Sequence, residues 1–319
     1  MTQTIISLGA HIFDVQVLPV EAIPPGQDAV LVDQIRFSPA GTAAGTAITL
    51  AKLGAAVRTA GAVGTDPIGD LLLSLLARYG VDTSLVLRRP EVQTSASVLP
   101  IRPDGSRPAF HVLGANLAYG PDDAPTAEIA RSTHLHLGAP ELMGGDGAAQ
   151  ILAPARAAGV TTSADLLAPG DPGLFEWIAP ALPHLDYLLP NEEQVVGLTG
   201  AATLEEGVRV LLDRGAGCVA VTRGAHGALV MTADTTTAVP AFAVDVVDTT
   251  GCGDAFSAGF LRGIGLGRPL REAAVLGCAA AALVAQGLGS DHGAFDLAVA
   301  DGFAASAPAL DILDTTEVN

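Results

Sequence analysis

Two glycines and two carboxylates lie close together in the segment Asp248-Thr249-Thr250-Gly251-Cys252-Gly253-Asp254. Glycine has no β-carbon, so the backbone from Gly251 to Gly253 can curl and direct several N–H groups at one ligand. The residues that follow favour a helix, and the N-terminus of a helix attracts negative charge. The segment therefore predicts a site for an anion such as a phosphate group.

The carboxylate of Asp254 falls in the first turn of that predicted helix, beside the anion site. There it could accept a proton from a hydroxyl group that attacks a bound phosphoryl group. A second interpretation is that Asp248 and Asp254 only cap the helix. The residues of this segment alone leave both interpretations open.

Strand-like and helical segments alternate along much of the chain. Apolar runs at 5–9 and 241–247 are typical of buried strands, and strand-like and helical segments follow one another between 134 and 222. Helical spacing of apolar residues also predicts helices at 45–54 and 69–80. This alternation predicts βαβ units, and hence a mainly parallel sheet with helices on both faces.

Extended segments of another kind lie at 30–37 and 95–112. Apolar and polar residues partly alternate in them, and Pro103-Asp104-Gly105-Ser106 is a strong turn signal. These segments predict antiparallel strands at the edge of the main body.

Size and charge exclude several classes of function. The chain has 319 residues, and we expect a single domain over 1–319. Its formal charge of -18, without a Lys/Arg cluster, argues against binding to nucleic acid or to an anionic membrane. The longest uncharged apolar stretch, at 273–285, is shorter than the roughly 20 residues that cross a bilayer. We find no signal-peptide pattern and expect a cytoplasmic protein.

Cysteine and lysine usage narrows the chemistry further. Cys218, Cys252 and Cys278 are far apart in sequence and outside any CxxC spacing, so they predict neither a disulfide framework nor a zinc site. The single lysine, Lys52, does not follow a GxxxxG loop, which excludes a Walker-type phosphate loop. A bound nucleotide must therefore be held by backbone amides, metal ions or arginine.

The segment 248–254 resembles the DTxGAGD signature of the PfkB/ribokinase family of carbohydrate kinases, with Cys252 in place of the usual alanine. Further resemblance covers nearly the whole chain in the order typical of that family. The matching positions are Gly9 with Asp14, AGTAAG at 40–45, AVGTDPIGD at 62–70, GAN at 114–116, PNEEQ at 190–194, VTRGAHG at 221–227 and the alanine-rich helix around Cys278.

This resemblance implies a ribokinase-like three-layer α/β/α sandwich, with a mainly parallel central sheet and a small β-sheet lid. The lid segments would lie near 12–38 and 92–112, and the lid often also forms a homodimer interface. The implied activity is ATP-dependent phosphorylation of a hydroxyl on a sugar or sugar-like molecule. The implied cofactors are ATP and Mg²⁺, with K⁺ as a further candidate ion.

The resemblance also assigns roles to individual residues. Asp254 would be the general base, and the amides of Gly251, Cys252 and Gly253 would stabilise the transferring phosphoryl group. The acceptor would contact Asp14, Gly41, Thr42, Gly45 and Asn116, and ATP would contact Asn191, Thr222, Gly224, Gly227 and Cys278. The candidate metal-binding residues are Glu193 for Mg²⁺ and Asp248, Thr250 and Ser290 for a monovalent cation.

Besides Cys252, other positions depart from the family pattern. Gly45 replaces an asparagine that usually holds the sugar, which predicts a roomier acceptor pocket or one filled by another group. Gln194 replaces a glutamate linked to magnesium and phosphate binding, and Cys278 replaces an asparagine near the nucleotide base. These changes leave the acceptor and the details of donor binding open.

Two other functions remain open from the sequence. One is a nucleoside kinase, for instance on adenosine, because Phe13, Phe37 and Phe110 lie on or near the expected lid and could stack on a base. The other is a sugar or nucleotide sensor of the same fold without activity. Retention of Asp254 and its glycines argues against a sensor, because a pure binding protein does not need a base.

Overall fold

A nine-stranded sheet runs through the centre of the protein, in a computed structural model that describes residues 3–103 and 107–310. Numbered along the chain and given in spatial order, its strands are β13 (Thr236–Val239), β12 (Ala228–Met231), β11 (Val219–Thr222), β10 (Tyr187–Leu188), β9 (Thr161–Asp165), β8 (His134–Gly138), β1 (Thr4–Gly9), β4 (Ala56–Gly64) and β5 (Asp82–Arg89). Neighbouring strands from β11 to β5 are parallel, whereas β12 is antiparallel to both β11 and β13. The predicted mainly parallel sheet is therefore confirmed.

Helices cover both faces of this sheet. They are α1 (Thr42–Lys52), α2 (Pro67–Arg78), α3 (Thr126–Ile129), α4 (Gly144–Ala157), α5 (Pro172–Ile178), α6 (Glu192–Thr199), α7 (Leu204–Asp213), α8 (Cys252–Gly265), α9 (Leu270–Ala285) and α10 (Leu297–Ser306). One apolar cluster joins the sheet to α4, α5, α6 and α7, and a second joins it to α1, α2, α8 and α9. The three-layer arrangement expected from the sequence is present.

The central strand β1 shows why the sheet needs helices on both sides. Its side chains point alternately to opposite faces. Ile6 and Leu8 belong to the first cluster and Ile5 to the second, and all three are buried. A strand that is apolar on both faces is stable only between two covering layers.

A second, four-stranded sheet stands beside the carboxyl end of the first, and we call it the lid sheet. It consists, in spatial order, of β3 (Gln34–Ala40), β2 (Ile12–Leu18), β6 (Ala96–Pro100) and β7 (Phe110–Val112). β2 pairs antiparallel with β3 and parallel with β6, and β6 pairs antiparallel with β7. The strands predicted on either side of the turn at 103–106 are thus confirmed, while residues 104–106 of that turn lie outside the described part.

The strand register gives the lid sheet one polar and one apolar face. One row of paired residues across the four strands is polar: Ser38, Asp14, Ser97 and His111. The next row is apolar: Phe37, Val15, Val98 and Phe110. Because successive residues of a strand point to opposite faces, the two rows lie on opposite sides of the sheet.

The strand predicted at 241–247 is not present. Phe242 forms only an isolated bridge with Ala309, and Val246 and Val247 are exposed. The segment has the apolar composition of a strand, but among the described residues it forms no ladder beyond that bridge. It instead forms one wall of a cavity described below.

Within the described residues, no helix is both long enough and apolar enough to cross a membrane.

Candidate active site

The glycine-rich segment forms the start of α8, as its sequence predicts. Gly251 caps the helix with a φ of 76°, and a β-carbon there would lie 2.2 Å from Cβ of Ser290. Both the left-handed conformation and the close approach require glycine at this position. Apart from its chain neighbours and its own helix backbone, no atom of the described residues lies within 4 Å of where a β-carbon of Gly253 would be, so this side of the helix start is open.

The N–H groups of this turn do not all remain free for a ligand. The Cys252 N–H donates to the carbonyl oxygen of Thr249 at 3.2 Å, and the Ala255 N–H donates to that of Gly251 at 2.8 Å. The N–H groups of Gly253 and Asp254 lie between them in the first turn, where a helix has no internal acceptor to offer. These two amides are therefore the best placed to meet an anion.

Asp254 lies in this first turn with partial access to solvent. Burial, followed by the negative charge of Asp14, raises the pKa of Asp254 to about 7. A carboxyl group with such a pKa exists in both protonation states near neutral pH, which is what a general base requires.

Asp14 lies on β2 with its side chain on the polar face of the lid sheet. It is buried, and burial raises the pKa of Asp14 to about 6, against the opposing effects of a hydrogen bond with Ser97 and the positive charge of Arg107. The negative charge of Asp14 in turn contributes to the raised pKa of Asp254, so the two carboxyl groups interact electrostatically.

Three buried polar atoms around the cleft beside Asp14 have no hydrogen-bond partner among the described residues: Nδ2 of Asn116, Oγ1 of Thr42 and Oγ of Ser38. Ser38 pairs with Asp14 in the lid sheet, and Oδ1 of Asn116 accepts from the His11 N–H at 3.0 Å. Burying a polar group without a partner costs free energy, so each of these atoms is available to pair with water or with a ligand in the cleft.

Gly41 and Gly45 bring α1 close to its neighbours. Gly41 has a φ of 94°, and a β-carbon there would lie 2.5 Å from the carbonyl oxygen of Ala10. A β-carbon on Gly45 would lie 2.2 Å from Oδ2 of Asp254. The Asp254 carboxylate therefore lies directly against Gly45, and a roomier or otherwise filled acceptor pocket stays a prediction.

A cavity of about 450 Å³ opens on the other side of the helix start. Cys252 and Gly253 line its inner end, and Thr222, Gly224, Gly227 and Cys278 contribute to its walls. The structure thus brings four of the five predicted ATP-contacting residues together.

The fifth, Asn191, is not among the residues that line this cavity. Its side chain accepts from the Gln194 N–H at 2.8 Å, while Oε1 of Gln194 accepts from the Asn191 N–H at 2.9 Å. This capping box fixes the start of α6. Contact of Asn191 with ATP stays a prediction.

The position of Gln194 explains why an amide is tolerated there. Its Nε2 donates to the carbonyl oxygens of Leu166 and Ala168, both at 3.0 Å, which ties α6 to the loop after β9. Gln194 is therefore not free to bind a metal ion. Glu193 beside it is exposed, and a single carboxylate is compatible with Mg²⁺, which binds mainly to phosphate oxygens and water.

The three residues expected to bind a monovalent cation do not fit one as arranged. Oδ1 of Asp248 accepts from the N–H and Oγ1 of Thr250, and Oδ2 accepts from Nε2 of Gln16 and the Gly289 N–H. The Ser290 hydroxyl donates to the carbonyl oxygen of Pro39. Hydrogen-bond donors thus occupy both carboxylate oxygens, where a cation would need open lone pairs.

Sequence reasoning missed Arg107, which lies just before β7 and reaches the helix start. Its Nη1 donates to Oγ1 of Thr250 at 2.6 Å, and its Nε lies 3.9 Å from Oδ1 of Asp248. The contact spans more than a hundred residues of sequence, so no local pattern reveals it. Arg107 supplies the positive charge that the single lysine cannot, because Lys52 is bound to the carbonyl oxygens of residues 291–293.

Asp165 was missed as well. It ends β9, accepts from Oγ of Ser257 at 3.1 Å, and burial followed by the charge of Asp254 raises its pKa. A signal for it existed in the sequence. A carboxylate at the end of a predicted parallel strand lies at the edge where α/β proteins bind ligands.

Comparison with protein families and curated proteins gives a consistent result. The model of the pfkB family of carbohydrate kinases matches residues 2–295. An ATP-dependent ribose-1-phosphate kinase of Halopiger xanaduensis is 34% identical over 81% of this chain and 83% of its own length. A deoxyribokinase of Salmonella typhi is 29% identical over 68% of this chain and 71% of its own length.

Solved structures of the same fold cover nearly all of the chain. A ribokinase of Arabidopsis thaliana in complex with ribose and ATP has a TM-score of 0.82 at 24% identity, over 95% of this chain and 99% of that one. A PfkB protein of Polaromonas has a TM-score of 0.74 at 27% identity, over 91% of this chain and 98% of that one. The overall architecture described above is shared with both.

Proposed function

Because the chain belongs to the pfkB family of carbohydrate kinases and is an ATP-dependent enzyme of that family, we propose that it phosphorylates a hydroxyl of a sugar or sugar-like molecule with Asp254 as general base. The position of Asp254 is the main support for this proposal. The carboxylate of Asp254 stands between an open helix N-terminus on one side and a cleft with unpaired polar atoms on the other. An acceptor hydroxyl and a phosphoryl group could therefore meet beside it.

The proposed reaction needs one proton transfer and one phosphoryl transfer. The acceptor hydroxyl gives its proton to Asp254 as its oxygen bonds to the γ-phosphorus, and the bond from that phosphorus to the β,γ-bridging oxygen of ATP breaks. Phosphoryl transfer depends mainly on positioning and on stabilising negative charge. The N–H groups at the start of α8, expected at Gly251 to Gly253 and here most open at Gly253 and Asp254, would stabilise that charge.

The unpaired atoms in the cleft support a polyol as acceptor. Asp14 can accept two hydroxyl hydrogen bonds, and Nδ2 of Asn116 and Oγ1 of Thr42 can each pair with a further hydroxyl. Gly41, by its close approach to Ala10, holds the start of α1 where Thr42 reaches the cleft.

When bound, Mg²⁺ would neutralise part of the negative charge on the phosphates of ATP. We propose that it binds mainly to the phosphate oxygens of the nucleotide. Glu193 would supply a protein carboxylate in place of the family glutamate that Gln194 replaces. No group of three or more His, Cys, Asp or Glu side chains in the described residues forms a metal site of its own. Since the arrangement around Asp248 does not fit a monovalent cation, no step of the proposed reaction uses K⁺.

Arg107 supports a further class of acceptor. Its guanidinium lies close enough to Asp14 to lower the pKa of that carboxyl group, so it places a positive charge at the acceptor cleft. A sugar that already carries a phosphate would gain from this charge. We therefore include sugar 1-phosphates, the substrate class named for the Halopiger relative, among the proposed acceptors.

The nucleoside alternative loses its specific support. Phe37 and Phe110 belong to the apolar row of the lid sheet, and Phe13, two residues before Val15, points to that same side. Asp14 points to the other side. The expectation that these rings could stack on a base in the acceptor cleft is therefore wrong.

We also propose that two copies of the chain associate through the apolar face of the lid sheet, and that the enzyme works in the cytoplasm. Phe37, Val98 and Phe110 on that face are 53%, 42% and 60% exposed. A contiguous apolar face of this kind marks an interaction surface. An isologous dimer would cover it with the same surface of the second copy.

A screen for ADP release tests the proposed function. Pentoses, pentose 1-phosphates, hexoses, keto-deoxy acids and nucleosides are offered with Mg²⁺ and ATP, and Asp254→Asn is run beside the parent. We expect a sugar or a sugar phosphate to give the highest kcat/KM and the variant to lose about 10²–10⁴-fold of that activity. A nucleoside as best acceptor would favour the nucleoside kinase. No stimulation by any acceptor would favour the non-catalytic sensor.

A further inference from the structure

The cavity beside the start of α8 has polar groups at its inner end and apolar walls beyond. Its inner end is formed by Thr249, Cys252 and Gly253, next to the proposed phosphate site. The outer walls come from the segment after β13, from one face of α9 and from the end of the described chain. These wall residues are Phe242, Val244, Val246, Cys278, Ala281, Ala282, Ala285 and Leu310.

The outer walls offer a nucleobase almost no side-chain hydrogen bonds. Among the described lining residues, the side chains with a hydroxyl are Thr222 and Thr249, at the end of β11 and at the phosphate end. The other heteroatoms in the described lining side chains are the thiols of Cys252 and Cys278, and a thiol is a weak donor. Sγ of Cys252 already lies 3.6 Å from the carbonyl oxygen of Ala281.

Several backbone groups of these walls are also engaged. The Ala243 N–H donates to the carbonyl oxygen of Pro308 at 2.9 Å, and the Leu310 N–H donates to the carbonyl oxygen of Ala241 at 2.8 Å. The carbonyl oxygen of Ala285 accepts from the Val247 N–H at 2.8 Å. Because these backbone groups already form hydrogen bonds within the protein, they are poorly placed to form specific hydrogen bonds with the edge of a base.

We infer that this enzyme discriminates weakly among nucleobases and accepts purine and pyrimidine nucleoside triphosphates as phosphoryl donors. The inference rests on the proposed function, because it concerns the donor side of that same site. An apolar pocket separates ligands by only about 10–200-fold, whereas a site that hydrogen-bonds a polar group rejects the wrong ligand by about 10⁴–10⁵-fold. Every base has an apolar π face that such walls can contact.

Two measurements test the inference, and the first does not depend on activity. The Kd values of the Mg²⁺ complexes of ADP, GDP, CDP and UDP are measured by calorimetry. With the best acceptor, kcat/KM is then measured for the four triphosphates. We expect the purine nucleotides to agree within about tenfold and the pyrimidine nucleotides to follow within about 200-fold, since a smaller base leaves part of the cavity unfilled.

Two variants of Cys278 test whether the wall that contains this residue contacts the nucleobase. Cys278→Asn places an amide, which can pair with a base edge, on the wall, and we expect it to widen the spread among the four nucleotides by about tenfold or more. Cys278→Ala keeps the wall apolar and should leave that spread as in the parent. An unchanged spread in Cys278→Asn, in a protein with parental Tm, contradicts the assignment of this wall to the base.

The outcomes separate the two proposals. Binding of one diphosphate more than about 10³-fold tighter than the other three overturns the inference, whatever the enzyme phosphorylates. Similar Kd values for all four, without transfer from any triphosphate to any acceptor, support weak discrimination among the bases in binding but contradict the proposed function and, with it, the acceptance of these nucleotides as donors.

Discussion

The carboxylate of Asp254 occupies the space that a side chain on Gly45 would need. A β-carbon on Gly45 would lie 2.2 Å from Oδ2 and 3.0 Å from Cβ of Asp254. Gly45 is in α1 and Asp254 in α8, and Oγ1 of Thr46 also reaches the backbone oxygen of Asp254 at 3.4 Å. The missing side chain therefore permits close packing of the two helices that fixes the proposed base.

Replacing Gly45 by alanine should displace Asp254. Because the added methyl group cannot occupy the same space as Oδ2, the carboxylate must rotate or α1 must move away. A displacement of about 1 Å at a reacting group can cost about 100-fold in rate. We expect kcat of Gly45→Ala to fall by about that factor, measured by ADP release with the best acceptor.

Gly302→Ala is a matched control. Gly302 lies inside α10, and no atom of the described residues outside its own stretch of helix lies within 4 Å of the position of its β-carbon. This variant should keep the parental kcat and gain up to about 1 kcal/mol in the free energy of unfolding. Parental kcat in Gly45→Ala would show that Asp254 is not held by this contact.

The pKa of Asp254 predicts the pH dependence of the rate. The pKa is raised to about 7, and only the ionised form can accept a proton. We therefore expect log kcat to rise with a slope near one below about pH 7 and to level off at about pH 8. A kcat that is constant from about pH 5.5 to about pH 8.5, with chemistry rate-limiting, would contradict the role of Asp254 as base.

The same pKa shift predicts that Asp254→Asn stabilises the fold. The folded protein holds the proton up to about pH 7, whereas the unfolded chain loses it near the ordinary pKa of 3.8. Ionisation of this group therefore lowers the stability of the parent as the pH rises from 3.8 to about 7, and the loss is complete above that range.

Asparagine has no such proton to lose. The difference in free energy of unfolding between Asp254→Asn and the parent should be smallest near about pH 4 and reach a plateau above about pH 7. Urea unfolding of both proteins at several pH values measures it. A difference that does not change with pH would mean that the carboxylate is not destabilised by its surroundings.

The sequence predicted the parts of the site that depend on local chain geometry. Gly251 requires a positive φ, and the carboxylate of Asp254 follows it by a fixed number of bonds, so both could be placed at the helix start without coordinates. The same reasoning located β1 and the alternating segments after it. Local patterns also predicted a strand at 241–247, which failed because a strand needs a neighbour and composition does not show whether one is present.

Contacts between distant segments were beyond such reasoning. Arg107 meets Thr250 only because the lid sheet stands over the carboxyl edge of the central sheet. The register that turns Asp14 inward and Phe37 outward likewise depends on how β2 pairs with β3. A single sequence shows how apolar and polar residues alternate along each strand. It does not show which face of the sheet is turned towards the site.

The positive charge of Arg107 at the start of α8 should contribute to kcat. It holds Thr250 at 2.6 Å and approaches Asp248, so it stabilises the turn that carries the proposed phosphate site. Loss of one hydrogen-bond donor that stabilises developing negative charge typically costs about 10²–10³-fold in kcat. We expect a loss in that range for Arg107→Ala, and only partial recovery for Arg107→Lys, because lysine lacks the planar fork of donors.

Arg88→Ala serves as the control for Arg107→Ala. Arg88 forms an exposed ion pair with Asp70 at 2.6 Å, and exposed pairs contribute little to stability. Its kcat should equal that of the parent. Equal kcat for Arg107→Ala and the parent would show that the arginine has no part in phosphoryl transfer.

The apolar face of the lid sheet predicts the assembly of the protein. Phe37 and Phe110 lie in one row across the four strands and are more than half exposed, which is costly in water but favourable between two copies. Replacing both by aspartate would place two negative charges on the face of each chain. Repulsion between like charges, together with the lost apolar contact, should shift the parental dimer to a monomer in sedimentation velocity.

The paired control is Val246→Asp with Val247→Asp. Both valines are exposed, at 61% and 51%, but lie outside the lid sheet, so this double variant adds the same charge without touching the proposed interface. It should sediment as the parent does. If the parent itself sediments as a monomer at all concentrations, or if both double variants remain dimers, the lid sheet is not the interface.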